Sequence, residues 1–219
     1  MVRKYSKYLL GAVFILLAFA PHFLEGIWYG LDSSVHFSRI YSVAEALKNG
    51  VFPVKVHAAA CYGYGIGFFY SNALLYIPAL FMNLFGMSLL TTYKLFVFLC
   101  LIVMFCSFYY SAWKISDSKE GAFWAAAMFL FATKVLSTIY LVIGVGQFTA
   151  MIFMSMAIAG MYIFLAKDES PVLLMIGFTG LIYTHVMSTF FGVIICSIIL
   201  ICYWKKIWMK KEMISFLPE

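Results

Sequence analysis

The chain has 219 residues, 65% of them hydrophobic and 11% charged. Globular domains carry about 25% charged residues, so this composition excludes a soluble domain and indicates an integral membrane protein. The net charge of +6 fits basic residues flanking membrane spans on the cytoplasmic side, and calls for no nucleic-acid partner.

Residues 1–8 carry Arg3, Lys4 and Lys7, which predicts a cytoplasmic N-terminus. Residues 8–24 are apolar and near the lower limit of about 17 residues for a spanning helix. Pro21-His22-Phe23 is no small-residue cleavage site, so this segment reads as an uncleaved first span. It delivers Glu25 and Asp32 to the outer face. Residues 32–49 have helical logic, with Asp32 placed to accept a backbone N–H as N-cap. His36, Ile40, Val43, Ala44 and Leu47 share one face; Ser38, Arg39, Ser42, Glu45 and Lys48 lie elsewhere. Asn49-Gly50, with Pro53 beyond, is a stop signal. The pattern predicts an amphipathic helix lying at the membrane interface.

Residues 62–67 alternate aromatic and glycine without the GxGxxG spacing. Residues 68–85 are apolar but interrupted by Asn72, Pro78 and Asn83. Clear spans follow at 95–113, at 122–142 with Lys134 inside, and at 148–165. Residues 171–204 would be about 51 Å long as one helix, too long for a single crossing of a ~30 Å core. They are predicted to turn back near residues 185–188. Lys205, Lys206, Lys210 and Lys211 should be cytoplasmic, which requires 68–85 to be re-entrant or interfacial. The expected fold is therefore all-α, with about six transmembrane helices plus the two outer-face helices. It divides into residues 1–24 (N-terminus and first span), 25–90 (first outer loop), 91–204 (helical bundle) and 205–219 (basic cytoplasmic tail). The five cysteines show no CxxC or zinc-finger spacing.

Asp32, His36 and Arg39 come at i, i+4 and i+7, on one side of a helix start. Asp32 suits a general base or a divalent-metal ligand, and the forked donors of Arg39 suit a lipid phosphate. The plainer account is a capped helix with an interfacial histidine and a snorkelling arginine. Glu25 reads as a solvated span end. His57 and Cys61 have metal-like spacing, but zinc needs three or four ligands. Tyr62, Tyr64, Phe69 and Tyr70 would either stack on sugar or prenyl groups or form an interfacial aromatic belt. Lys134 is a functional candidate because a charge inside a span is costly, with snorkelling as the alternative. His185 reads as polar glue between helices.

The run Gly30-Leu31-Asp32, His36, Arg39-Ile40, Asn49-Gly50, Phe52-Pro53, Gly63-Tyr64-Gly65 and Phe69-Tyr70 resembles the start of GT-C-type membrane glycosyltransferases. It is most similar to a bacterial group labelled as related to 6-pyruvoyl-tetrahydropterin synthase, and to YfhO-like proteins. Tyr93-Lys94, Gly146 with Ala150-Met151, and Thr184-His185 extend the resemblance. No zinc-binding histidine set supports the pterin label. The resemblance implies a helical bundle whose first outer loop forms half of an active site. The implied chemistry is transfer of a sugar from a polyprenyl-phosphate donor at the outer face, for a role in the cell envelope. Asp32 would be the catalytic acid, or a Mg or Mn ligand. His36, Arg39, Lys134 and Gln147 would contact substrate or lipid phosphate. Gln147 stands where relatives usually have an acid, and Val142 where they often have a basic residue. Such enzymes usually run to several hundred residues, so a missing C-terminal half or a partner subunit is expected. The competing reading is a non-catalytic subunit that binds polyprenyl lipid or scaffolds an envelope complex. A transporter is disfavoured by the lack of a visible inverted repeat.

Overall fold

The computed structural model describes residues 2–26, 30–57 and 63–208. Among these the chain is helical, with one isolated antiparallel pairing, His57 to Tyr64. Tyr62, Cys61, Lys210 and Lys211 lie outside the described residues. The helices are α1 (Val2–Phe19), α2 (Ser33–Lys48), α3 (Tyr76–Phe85), α4 (Leu89–Ser116), α5 (Lys119–Leu130), α6 (Thr133–Ser137), α7 (Val145–Ala166), α8 (Val172–Ile182) and α9 (Val186–Cys202).

Four segments are long and apolar enough to cross a bilayer: Ser6–Phe23, Leu89–Ser116, Lys119–Val142 and Val145–Ala166. The shorter apolar helices Ala73–Phe85, Val172–Ile182 and Val186–Cys202 fall below that length. At 1.5 Å per residue α3 and α8 reach only about 15–17 Å. By the same measure Val172–Ile182 and Val186–Cys202 fall short as well, so four segments among the described residues, against the expected six, reach spanning length. The turn-back in 171–204 falls at Tyr183 to His185, where His185 caps α9 by accepting from Ser188 N at 3.1 Å.

One end of the bundle is tied by lysines. Ser118 caps α5 here through its hydroxyl, as Ser88 caps α4 at the opposite end. Asp117 and Asp168 take left-handed φ of 57° and 56° just beyond α4 and α7. Lys167 Nζ donates to Lys114 O at 2.7 Å and to Asp117 at 2.6 Å. Lys206 Nζ donates to Leu165 O, Ala166 O and Asp168. Each lysine neutralises the carbonyl end of a helix that would otherwise be left unpaired. Lys7–Glu120 and Lys114–Glu169 pairs lie at this same end. Along the bundle, α7 and α8 touch backbone to backbone. A Cβ on Gly160 or Gly177 would come within 2.2 Å of Leu174 N or 2.4 Å of Ala157 N, the close approach that small residues permit in membranes.

The opposite end is built on a break. The predicted span 122–142 is not one helix: α5 ends at Leu130, and α6 runs into a π-helical turn at Thr138–Val142. That turn ends at Ile143, a buried β-branched residue with φ 59°, a strained conformation. The turn leaves the Leu141 and Val142 carbonyls to accept from Leu31 N at 3.1 Å and Asp32 N at 2.9 Å. A Cβ on Gly30 would lie 2.7 Å from both Ile143 Cγ1 and Leu141 O, so only glycine allows this docking. The first loop is thus pinned to the start of α7.

Two expectations for α2 are corrected. Asp32 sits at the N-cap position, but its side chain caps nothing. The helix also buries Arg39 and Ser42 along with His36, Ile40, Val43 and Ala44. It packs against α3 and α4, with Asn83 Nδ2 donating to Ala44 O at 2.9 Å.

Candidate functional site

The end of the bundle carrying the π turn gathers most of the sequence candidates. Its centre is Arg39, only 3% exposed. Nη2 donates to Ser71 O and Asn72 Oδ1, both at 2.9 Å, and more weakly to Tyr70 O at 3.5 Å. The guanidinium stacks over the Tyr70 ring, 4.6 Å from its centroid. Nε is buried without a partner, and no carboxylate pairs with Arg39 among the described residues. Burial pushes its pKa down to about 10, so it is cationic at neutral pH. A buried, uncompensated cation is costly unless an anion joins it.

Asn72, an interruption in an apolar run from sequence, is the hub. Arginine only donates, so Oδ1 must face Arg39 and the amide NH₂ the other way. Nδ2 reaches Val54 O at 2.9 Å and His57 Nε2 at 3.2 Å. His57 Nε2 is therefore an acceptor and the ring is neutral, consistent with a pKa lowered mainly by burial and then by Arg39. His57 is 1% exposed, buried in the protein beside Asn72, where it holds the loop.

His36 is 6% exposed, and its side chain makes no hydrogen bond among the described residues. Burial first, then Arg39 and His185, push it down to about 3. His185 uses Nδ1 to accept at the α9 cap and meets Tyr70 edge-to-face at 5.7 Å. Its pKa is lowered by burial and by Lys134. Tyr70 is raised mainly by burial, with Arg39 opposing and Asp32 adding to the rise.

Asp32 is half-exposed, and its carboxylate makes no hydrogen bond or ion pair among the described residues. Lys134 is exposed at the α5–α6 break, not inside a continuous helix. Gln147 stands in the first turn of α7 with Oε1 buried and unpartnered. Arg39, Tyr70, Ser71, Val145, Gly146 and Thr184 line a small cavity at that helix start. A Cβ on Gly146 would sit 2.3 Å from the Tyr70 hydroxyl. Glu25 and Tyr64 are exposed, as are Phe52, Phe68 and Phe69, whereas Tyr70 is half-buried under Arg39. No group of three or more His, Cys, Asp or Glu that could hold a metal occurs among the described residues.

No protein-family model, curated protein or solved structure matches this chain.

The histidine has a pH signature. His36 titrates near 6.5 when exposed and near 3 in the fold. Above pH 6.5 both states are neutral and nothing is lost. Between 6.5 and 3 only the unfolded chain binds the proton, so stability falls as pH falls. The melting midpoint in detergent should drop across that range, and His36→Leu should make the fall shallower, the remainder coming from His57 and His185, which burial also lowers.

Proposed function

We propose that this chain is a GT-C-like glycosyltransferase module that takes its donor sugar from a polyprenyl phosphate at the outer membrane face. The observation that carries the reading is a buried Arg39 with no carboxylate partner among the described residues, stacked on Tyr70 beside a small cavity at the α7 N-terminus. A cation and a long helix's N-terminal dipole both favour phosphate. The resemblance of the Gly30 to Tyr70 stretch to such enzymes points the same way.

In this reading the sugar–phosphate oxygen bond breaks and the polyprenyl phosphate departs. Arg39 and Lys134 stabilise the charge that develops on it. Asp32 takes the proton of the acceptor hydroxyl as that oxygen attacks the anomeric carbon. A single displacement of this kind inverts the centre. Six crossings, with both termini and the lysine end of the bundle cytoplasmic, put Asp32 outside. A non-catalytic lipid-binding subunit, or one half of a longer enzyme, would keep the phosphate pocket without completing transfer.

The chain reconstituted in nanodiscs should retain polyprenyl phosphate in preference to polyprenol, read by native mass spectrometry. A cysteine at position 32 should react with an impermeant maleimide added to intact cells. Equal retention of the two lipids, or labelling only after lysis, overturns the reading.

A further inference from the structure

A second cavity, sharing no residue with the one beside Arg39, lies where the first span ends. Its volume is about 20 Å³, and His22, Gly26, Tyr93, Lys94, Tyr140 and Ile143 are among the residues that line it. Three segments meet there: the 3₁₀ turn Ala20–Phe23, the start of α4 and the π turn.

Tyr93 decides what the cavity is for. It is 0% exposed, and its hydroxyl has no hydrogen-bond partner among the described residues. Its ring meets Phe37 edge-on at 5.0 Å and stacks with His22 at 6.1 Å. A phenylalanine would make the same ring contacts. A buried hydroxyl left unpaired is costly, so the oxygen has to be satisfied from within the cavity that its side chain lines.

The neighbouring polar groups are already in use but not exhausted. Tyr140 donates its hydroxyl to Ala18 O, and Lys94 Nζ donates to Leu24 O at 2.8 Å. The Tyr140 oxygen can still accept, the Lys94 ammonium has two more protons, and the His22 imidazole adds a further group. Size then selects the occupant. One water needs about 10–15 Å³ and two to four polar partners. The cavity exceeds that volume by little and has no room for a phosphate or an organic ligand.

We infer that this cavity holds one ordered water, hydrogen-bonded to the Tyr93 hydroxyl and bridging α4 to the end of the first span. The water completes a polar brace whose direct bonds are Lys94 to Leu24 O and Tyr140 to Ala18 O. The brace fixes the point where the first span stops and the first loop begins. It is independent of the activity proposed above.

The test is radiolytic footprinting of the whole chain in nanodiscs in H₂¹⁸O, where radicals formed from a bound water label the side chain beside it. Tyr93 should take up ¹⁸O well ahead of Phe148, which is equally buried at 0% exposure. Labelling of Tyr93 no faster than Phe148 overturns the site. Tyr93→Phe gives a second answer by its sign. With water bound, loss of the hydroxyl removes a bond and should raise the unfolding equilibrium constant in detergent about 2–10-fold. A lowered constant would mean that the hydroxyl had no partner, and overturns the proposal too. The wild-type melting midpoint should be the same in chloride as in gluconate. A chloride requirement that Tyr93→Phe abolishes would assign the cavity to a halide and overturn the water.

Discussion

Asp32→Asn is expected to lower sugar transfer by about 10²–10⁴-fold, the range a positioned general base contributes. The prediction is sharp because the carboxylate has no other task among the described residues. The N-cap geometry is set by the backbone, with Asp32 N held by Val142 O at 2.9 Å, and no side-chain cap bond is lost. The isosteric amide should leave the melting midpoint within about 0.5 kcal/mol of wild type, as for surface changes away from packed features. Retention of polyprenyl phosphate should also hold, since the amide removes a base and not a phosphate contact. The measurement is turnover of a polyprenyl-phosphate sugar in proteoliposomes beside lipid retention on the same preparation. Loss of both together would mean that Asp32 shapes the pocket; loss of neither would leave a lipid-binding subunit.

Arg39→Met should destabilise the fold by about 2–5 kcal/mol. The substitution keeps an apolar stem and removes the donor for Ser71 O and Asn72 Oδ1, each 2.9 Å away. Buried acceptors left unpaired cost about 1–3 kcal/mol apiece. Arg39→Lys should not rescue it, because a point charge cannot reproduce the planar stack on Tyr70. Asn72→Leu should cost a similar amount, and the double variant much less than the sum, because the two side chains form one unit. Additive losses measured by thermal unfolding in detergent would show that the two act separately. Nη2 of Arg39 thus holds the Tyr70–Asn72 strap, while the side chain also lines the small cavity at the α7 start.

The contrast between Arg39 and Asp32 shows what could be read in advance. Spacing placed both on one side of a helix start, and α2 does run from Ser33 to Lys48 as its stop signal indicates. The same spacing assigned Arg39 to the face away from the apolar stripe, whereas it is buried, because its partners come from residues 70–72. Asn72 carried only the signal of a polar residue in an apolar run. Lys134 does lie within the span-length segment Lys119–Val142, but hydropathy averages over the break after Leu130 and so hid that it stands where the helix is interrupted.

By itself the sequence determined the membrane class, the helical character, the limits of α2 and the reversal at His185. Those properties depend on side-chain transfer free energy and capping chemistry, which act within a few residues. Only the tertiary structure decided that His57 is buried, that the Asp32 side chain makes no cap bond, that the π turn captures the first loop, and that a buried arginine lies beside a cavity with no carboxylate partner among the described residues. Each of these depends on hydrogen bonds or close packing between segments distant in sequence, such as Asp32 with Val142 and Gly146 with Tyr70. No local pattern encodes such partners, because the energy that selects them exists only once the helices have packed.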